Sequence, residues 1–477
     1  MFKLTAYQRI EALVDTGTFE EIGAISEKDK SNQEAVITGV SNINNRQVFI
    51  IAIDVAILGG SIGGASARKI NHILDIAVQY KTPVITLFES VGARIQEGVV
   101  AMHHIGIMFR KFAEISGVVP TIALQFGINS GATAYAAGLM NFIIMVENHS
   151  FSFITGPKVI EKMISEKVSM EDLGGTSVHG SMTGLATFIE ANEYRALLRA
   201  KQLLDYLPQH CFQIPSSINT RKRKEKKYTD LENIIPQNNS KQGYDMNAII
   251  QEIVDDDTFL ELYKNFAPNI IVGFAKLGDA SIAVVANQPL YLSGILDVDS
   301  CKKLFRFIQI CDAYNIQLLF IADSPGFMPG KEQEQASMIG FGARILNVLA
   351  TSTVPKITLI VNKIIGGAYG GMNSSGLGAD MVFAWPTAQI AILGANAALS
   401  VIYQKEIEKS ADKETVTKEK IKEYAETYLT PYHAAHHGQI DAIIHPDESR
   451  KIILNSFAVL QNKVIPAIKR RRNIIPM

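Results

Sequence analysis

The sequence predicts an α/β protein built from two copies of one domain, and two observations support this. Short apolar runs typical of buried strands alternate with helical stretches along the whole chain. Landmarks in the first half also recur in the second half, in the same order and about 235 residues later. That spacing is far too long for a solenoid repeat, so it indicates duplication of a complete domain.

The predicted strands are short, apolar and end in polar or small residues. They lie at 82–90 and 119–127 in the first half, and at 316–324 and 354–362 in the second. Amphipathic stretches at 65–80 and 300–314 separate strands within each half and are predicted to be helices. The pattern is that of a largely parallel sheet covered by helices.

Four landmarks carry the duplication. They pair Glu89-Ser90 with Asp323-Ser324, Pro120 with Pro355, Gly131-Ala132 with Gly367-Ala368, and residues 154–156 with 392–394, at offsets of 234, 235, 236 and 238. The stretch at 209–243 is rich in Pro, Ser, Asn and charge, which is typical of an exposed linker. We therefore predict two domains, 1–220 and 225–470. The charged stretch 404–430 is predicted to be a projecting helix.

Composition excludes several classes of protein. The chain has 477 residues, of which 47% are hydrophobic, and its formal charge is −1. This balance is that of a globular protein and not of a nucleic-acid binder. Three scattered cysteines, Cys211, Cys301 and Cys311, make no disulfide framework. With no signal peptide and no membrane-spanning run in the sequence, we predict a cytoplasmic protein without membrane contact.

The chain has no familiar side-chain catalytic motif. It contains no phosphate-binding Walker loop, no nucleophile elbow and no strand-led dinucleotide fingerprint. The adjacent pairs His103-His104 and His436-His437 diverge on a helix, and no third ligand accompanies them, so we predict no metal site.

Two turns of small residues offer a different chemistry. One lies at 129–138 and the other at 364–376, and each follows a strand and opens a predicted helix. Backbone N–H groups at such a position carry positive partial charge, and glycine lets a ligand oxygen approach them closely. Two such amides make an oxyanion hole, which stabilises an enolate or a tetrahedral oxygen. Close packing of helix on strand also favours small residues, but the recurrence in both halves favours a site.

Nine segments resemble the carboxyltransferase β subunit of biotin-dependent acyl-CoA carboxylases, the propionyl-CoA and acetyl-CoA carboxylase group. They lie at 59–70, 92–99, 153–160, 171–175, 269–277, 284–289, 325–330, 366–369 and 384–395, in the order that the family has. The resemblance implies two crotonase-like domains, each a spiral of ββα units, and a homo-hexamer. It also implies that acyl-CoA lies on the first domain and biotin on the second.

The resemblance implies the chemistry as well. Carboxybiotin releases CO₂, biotin takes the α proton of the acyl-CoA, and the enolate attacks CO₂. Biotin arrives on a separate carrier protein, so the expected partners are a biotin carboxylase and a biotin carboxyl carrier, often one α chain. No metal is expected in this subunit.

The family's site residues map onto this chain one by one. Its oxyanion pairs match Gly131-Ala132 and Gly367-Ala368, which makes these four the candidate catalytic residues. Its acyl-CoA side matches Gly92, Ala93, Arg94 and Gly370, and its biotin side matches Gly366, Tyr369, Pro325 and Gly326. Arg94 either binds a phosphate or fixes its loop, and the residues themselves leave both roles open.

Some positions depart from the family pattern. Val91 stands where the family has glycine, and Ala132 replaces the second glycine of the first oxyanion pair. Gly370 stands where propionyl-type members often carry Asp, which suggests room for a longer acyl group. Two alternatives therefore stay open: the carboxyltransferase subunit of a biotin-dependent decarboxylase of the methylmalonyl-CoA type, and a non-catalytic scaffold of the same fold.

Overall fold

A computed structural model describes residues 3–23, 34–213, 215–222, 231–236, 243–463 and 474–476. Contacts between residues divide the chain into two compact units, Met1–Gln213 and Ile214–Met477, which we call unit 1 and unit 2. The division falls near the start of the predicted linker.

Unit 1 contains eight strands and seven α-helices in its described residues. In chain order they are α1 (Ala6–Leu13), β1 (Glu20–Glu21), β2 (Val36–Ile43), β3 (Arg46–Ile53), α2 (Gly64–Tyr80), β4 (Val84–Ser90), α3 (Val99–Ile115), β5 (Thr121–Ser130), α4 (Ala132–Gly138), β6 (Phe142–Val146), β7 (Phe151–Phe153), α5 (Pro157–Ile164), α6 (Met170–Gly174), β8 (Phe188–Glu190) and α7 (Glu193–Leu204).

Unit 2 repeats this order and adds helices near its end. Its elements are α8 (Met246–Ile253), β9 (Leu260–Leu262), β10 (Ile270–Leu277), β11 (Ala280–Asn287), α9 (Val298–Ala313), β12 (Gln317–Ser324), α10 (Lys331–Gln335), α11 (Met338–Thr351), β13 (Lys356–Ile365), α12 (Ala368–Gly371), β14 (Met381–Ala384), β15 (Gln389–Ala391), α13 (Ala395–Ile402), α14 (Gln404–Lys409), α15 (Lys413–Tyr428), α16 (Pro431–His436), β16 (Ala442–Ile443) and α17 (Ser449–Leu460).

The two sheets have the same topology. Unit 1 orders its strands β1-β2-β3-β4-β5-β6-β8, with β7 paired to β5, and unit 2 runs β9-β10-β11-β12-β13-β14-β16, with β15 paired to β13. An antiparallel hairpin opens each sheet, β2 with β3 and β10 with β11, and the later strands pair in parallel. The predicted duplication is thus confirmed strand by strand.

Local sequence explains why these elements form. All seven residues of β4 are buried, as its unbroken apolar run predicts for a strand covered on both faces. Helix α2 buries Ile70, Ile73, Leu74 and Ala77, the spacing of one helical face, and packs them into the core of unit 1. Helix α1 begins at a capping box in which Thr5 and Gln8 bond to each other's backbone amides.

Close backbone contacts confirm the duplication at single residues. A Cβ atom built on Gly60 would lie 2.4 Å from the carbonyl oxygen of Glu89, and one on Gly294 would lie 2.5 Å from that of Asp323. Both glycines have positive φ, 70° and 72°. The same backbone crossing therefore needs glycine in both units.

Two predictions about chain organisation need correction. Part of the predicted exposed linker packs on unit 2, since Ile218 and Leu231 are buried in its core. The predicted helix at 404–430 is broken, because α14 ends at Lys409 and Asp412 caps a new helix, α15. No helix within the described ranges is both long and apolar enough to cross a membrane.

Candidate active site

In unit 1 the first small-residue turn lies between β5 and α4. Gly131 has φ 55° and ψ −108°, a backbone conformation that side chains strongly disfavour. Its amide donates to the carbonyl of Phe153 at 3.1 Å, which ties the turn to β7. Ala132 then begins α4, so its own amide lies at a helix start.

In unit 2 the same turn lies between β13 and α12. Gly366 has φ 57°, and its amide donates to the carbonyl of Ala391 in β15 at 2.9 Å. This bond matches the one from Gly131 to Phe153. Gly366 is therefore the structural counterpart of Gly131, and Gly367 is that of Ala132. The predicted pairing of Gly131 with Gly367 was wrong by one residue. The sequence of a tight turn does not show which of its residues bonds the neighbouring strand.

The counterparts Ala132 and Gly367 each offer a backbone donor. Among the described residues, no protein acceptor bonds the amide of either one. Gly367 is exposed, whereas Ala132 is 8% exposed. Ala368 is fully buried but follows Gly367 at the same helix start. Each unit thus keeps an unpaired N–H beside a glycine, a donor of the kind that an oxyanion hole uses. The amide of Gly131, predicted as the second donor of its pair, is bonded to Phe153 instead.

A second loop lies beside each turn. In unit 1 the hydroxyl of Ser90 accepts from the amide of Gly92 at 3.0 Å, and in unit 2 Ser324 accepts from Gly326 at 3.4 Å. A Cβ atom on Gly92 would lie 2.7 Å from the carbonyl oxygen of Ser130 and 4.0 Å from the amide nitrogen of Ala132. The structure therefore brings the predicted residues Gly92 and Ala132 together.

In unit 2 the aromatic side chain of Phe327 covers the turn. A Cβ atom on Gly367 would lie 2.8 Å from Cδ2 of this ring. Pro325 and Gly326 lie in the same loop as Phe327, and Gly326 has φ 138°. Sequence reasoning did not single out Phe327. Only its place after Gly326 in the PGF segment could have pointed to it.

Arg94 uses all five of its N–H donors within the protein. Its guanidinium binds Glu34 at 2.8 and 3.1 Å, Glu97 at 2.9 Å, and the hydroxyl and carbonyl oxygens of Ser61 at 3.4 and 3.2 Å. Burial raises the pKa of Glu34, but the bonds from Arg94 and Ser66 lower it more, so the net pKa is below its usual value. No donor is left for a CoA phosphate, and we interpret Arg94 as a residue that fixes the loop. The neighbouring Ala93 is exposed.

We expect Arg94→Lys to destabilise unit 1 without weakening acyl-CoA binding. A lysine has three donors at one point and cannot span Glu34, Glu97 and Ser61 together. The free energy of unfolding should fall by about 1–3 kcal/mol, while the KM for acyl-CoA stays within about twofold. Thermal unfolding and steady-state kinetics measure the two effects. A large rise in KM over wild type that shrinks as salt screens the wild-type contact would instead assign Arg94 to a phosphate.

A pocket opens beside the turn of unit 2. Its volume is about 360 Å³, and its lining is mainly aromatic and aliphatic: Gly366, Tyr369, Ile390, Ala391, Ile392, Tyr424, Tyr428, His433 and Gln439. The rings of Tyr424, Tyr428 and His433 follow one another at centroid distances of 5.2 and 5.6 Å. The sequence predicted that Tyr424 and Tyr428 lie in an exposed projection, and only their i, i+4 spacing could have suggested a shared face.

Two departures from the family pattern now have a structural account. Val91 has a negative φ, and the positive φ of this loop falls on Gly92 at 101°, so valine fits the backbone. Val91 is 55% exposed. A Cβ atom on Gly370 would lie 3.2 Å from Leu346 and 3.3 Å from Leu377. The expected free space beside Gly370 is therefore filled by leucine side chains of unit 2.

Comparison with known proteins identifies the family. The model of the carboxyl transferase domain matches residues 2–475. The chain belongs to the carboxyl transferase family. It is 40% identical to a putative propionyl-CoA carboxylase beta chain of Bacillus subtilis, an alignment that covers 100% of this chain and 94% of the relative. It is a carboxyltransferase of the biotin-dependent acyl-CoA carboxylase type.

Other relatives of this carboxyltransferase have different reactions. The methylmalonyl-CoA decarboxylase subunit alpha of Propionigenium modestum is 37% identical, covering 100% of this chain and 93% of the relative. The crystal structure of transcarboxylase 12S, a hexamer assembly with methylmalonyl-CoA bound, superimposes with a TM-score of 0.95 at 36% identity, covering 100% of this chain and 92% of that one. The predicted crotonase-like fold is thus confirmed. No group of three or more His, Cys, Asp or Glu side chains in the described ranges could hold a metal ion.

Proposed function

We propose that this chain transfers a carboxyl group between carboxybiotin on a carrier protein and the α carbon of an acyl-CoA, with propionyl- or acetyl-CoA or a related thioester as substrate. The observation that carries the proposal is that each unit has one backbone amide at the turn without a protein acceptor among the described residues. This amide is that of Ala132 in unit 1 and that of Gly367 in unit 2. Two oxyanions develop in such a transfer, one on the thioester and one on biotin, and each needs a donor.

On the acyl-CoA side, unit 1 supplies the turn and its neighbouring loop. The amide of Ala132 lies at the start of helix α4, where it has no acceptor within the helix, and Gly92 lies beside it. Stabilising the enolate oxygen lowers the barrier to removing the α proton without a side-chain base in this chain. Alanine at position 132, where the family has a second glycine, still has a backbone N–H, so this donor is kept.

The pocket of unit 2 suits the biotin ring. Biotin carries a fused, largely apolar bicycle with one polar urea oxygen. The aromatic and aliphatic lining of the pocket fits the bicycle, and Gly366 and Tyr369, predicted for the biotin side, belong to that lining. The exposed amide of Gly367 lies one residue beyond and fits the urea oxygen. Bound carboxybiotin supplies CO₂ and, after losing it, the base.

The partners follow from what the described chemistry lacks. Biotin must be attached to a carrier and carboxylated elsewhere, so we propose a biotin carboxylase and a carrier as partners and a hexamer as the assembly. The physiological direction can differ, as the decarboxylase relative indicates. The retained amides argue against a non-catalytic scaffold.

The test is carboxyl transfer in the reverse direction with the full chain. Purified protein is mixed with free biotin and with malonyl-, methylmalonyl- or ethylmalonyl-CoA, and loss of the carboxyl group is followed. We expect turnover that depends on biotin, and the best thioester names the acyl group. If free biotin is inert, a biotinylated carrier replaces it. No turnover with either carboxyl acceptor, free biotin or the biotinylated carrier, would overturn the proposal and support the scaffold.

A further inference from the structure

Each unit buries one carboxylate immediately before its loop. Glu89 ends the apolar part of β4 and is 4% exposed, and Asp323 ends that of β12 and is fully buried. The two are counterparts, since Ser90 and Ser324 follow them and bond the loop amides of Gly92 and Gly326 in the same way. Neither carboxylate has a part in the chemistry proposed above.

Both carboxylates lie where a parallel ladder is interrupted. In unit 1 the register passes from Phe88 paired with Gln125 to Ser90 paired with Asn129, so the ladder skips part of β5. In unit 2 it passes from Ala322 paired with Ile360 to Ser324 paired with Ile364. Backbone pairing therefore stops beside each carboxylate, just before the small-residue turn.

In unit 2 the carboxylate of Asp323 bridges this gap. It accepts from the side-chain amide of Asn362 at 3.1 Å and from the backbone amide of Lys363 at 3.4 Å, both in β13. The hydroxyl of Tyr244 donates to it at 2.8 Å. Gly366 follows Asn362 by four residues, so the bridge contacts β13 just before the small-residue turn begins.

In unit 1 the counterpart Glu89 makes its hydrogen bonds to residues near the N-terminus and meets β5 by packing alone. Glu89 accepts from Arg9 at 2.8 Å and from Lys3 at 2.5 Å. Its carboxylate packs over Gly127, where a Cβ atom would lie only 2.2 Å from Oε1. Gly127 precedes Gly131 by four residues, as Asn362 precedes Gly366. The longer side chain of Glu89 faces Gly127, and the shorter side chain of Asp323 faces Asn362. The two facing side chains together therefore fill a gap of similar size in both units.

We propose that Glu89 and Asp323 are positioning residues that set the distance between the loop and the turn of their unit. Where backbone pairing stops, Asp323 joins the strand before the loop to the strand before the turn by hydrogen bonds, and Glu89 fills the equivalent gap by packing over Gly127. The free amide of the turn is then held at a fixed place relative to the loop. The inference rests on the proposed function, because its effect is on carboxyl transfer. A misplacement of about 1 Å at a reacting centre can cost about 100-fold in rate.

The test is a double-mutant cycle in unit 2, with the full chain and the biotin-dependent decarboxylation assay. We expect Asp323→Ala and Asn362→Ala each to lower kcat about tenfold or more, with KM for the thioester within about threefold. The double variant should be no slower than the slower single variant, because both remove one bridge. If Asp323→Ala does not fold, Asn362→Ala carries the test alone, because it removes the partner of the bridge in β13 and leaves the bond from Tyr244 in place.

The matched control is Asp255→Asn, another buried carboxylate of unit 2. Asp255 binds Arg450 and the amides of Gly278 and Asp279, at the β10–β11 hairpin. The Asp255→Asn substitution should lower thermal stability but leave kcat unchanged. Unchanged kcat in the Asp323 and Asn362 variants, or losses of kcat that add in the double variant, would overturn this inference alone. A wild-type chain without turnover would overturn both it and the proposed function.

Discussion

Gly367→Val is expected to lower carboxyl transfer about 100-fold or more. The new Cβ atom would lie 2.8 Å from Cδ2 and 3.0 Å from Cε2 of Phe327, so either the ring or the turn must move. In both cases the exposed amide of Gly367 is displaced or covered. Losing one oxyanion donor costs roughly 3 kcal/mol in the barrier, which is about 100-fold in rate. The measurement is biotin-dependent decarboxylation of the preferred thioester.

The strain in this variant is steric, since Gly367 has an ordinary φ of −61°. Gly367→Ala should therefore give a smaller loss in the same direction. Gly376→Ala is the control in the same unit, because the nearest atom to its new Cβ, Oγ of Ser374, is 3.9 Å away. It should keep wild-type kcat. A folded Gly367→Val protein with undiminished kcat would rule out this amide as a donor.

Lys303→Met is expected to cause the largest loss of stability, about 3 kcal/mol or more in the free energy of unfolding. The ammonium of Lys303 is buried and donates to the carbonyl oxygens of Ile270, Phe266, Tyr263 and Ala267 at 2.6, 2.8, 3.0 and 3.3 Å. Three of these carbonyls belong to the loop before β10, which has positive φ at Tyr263 and Ala267, and the fourth is that of Ile270 at the start of β10. Methionine has similar length but no donor, so the loop carbonyls lose these bonds inside the protein.

The adjacent Lys302→Met is the matched control for this prediction. The side chain of Lys302 is 44% exposed, pairs with Asp299 and lies 5.2 Å from the centroid of the Phe341 ring, so its loss should change stability by less than about 1 kcal/mol. Denaturant unfolding of both variants makes the comparison. Equal stability of the two would contradict the structural role of Lys303.

The same lysine gives a pH signature. Burial lowers the pKa of Lys303 to about 7 from an ordinary value of 10.5. Between these values the unfolded chain binds more protons than the folded one, so this group makes stability rise with pH across that window. The contribution is lost as pH falls through 7. Lys303→Met should remove this slope, which unfolding at pH 7 and 9 can detect.

Much of the fold and the site could be predicted from local sequence. Buried strands such as 82–90 need only an unbroken apolar run, and the turn at Gly131 needs only a residue that tolerates positive φ. Both signals lie within a few neighbouring residues. The recurrence of such signals after about 235 residues also made the duplication visible without a structure.

Other features depend on residues far apart in the chain, and sequence alone could not rank them. The partners of Arg94 include Glu34, 60 residues away. Phe327, in the loop after β12, lies against Gly367, in the turn after the neighbouring strand β13. Tyr424 and Tyr428 line a pocket at a turn more than fifty residues earlier in the chain. Each of these contacts is one of many that the same side chain could make in another fold.

By itself the sequence determined the α/β class, the duplicated domains and the two small-residue turns, because apolar periodicity and glycine conformations are local properties of the chain. The resemblance of nine segments gave the family. Only the tertiary structure decided which glycine of the second turn matches Gly131. A hydrogen bond to β15 identifies Gly366, and that bond exists only once the strands have assembled. The proposed roles of Arg94, Glu89 and Asp323 rest on the tertiary structure in the same way, since a buried charge takes its function from the partners that folding brings to it.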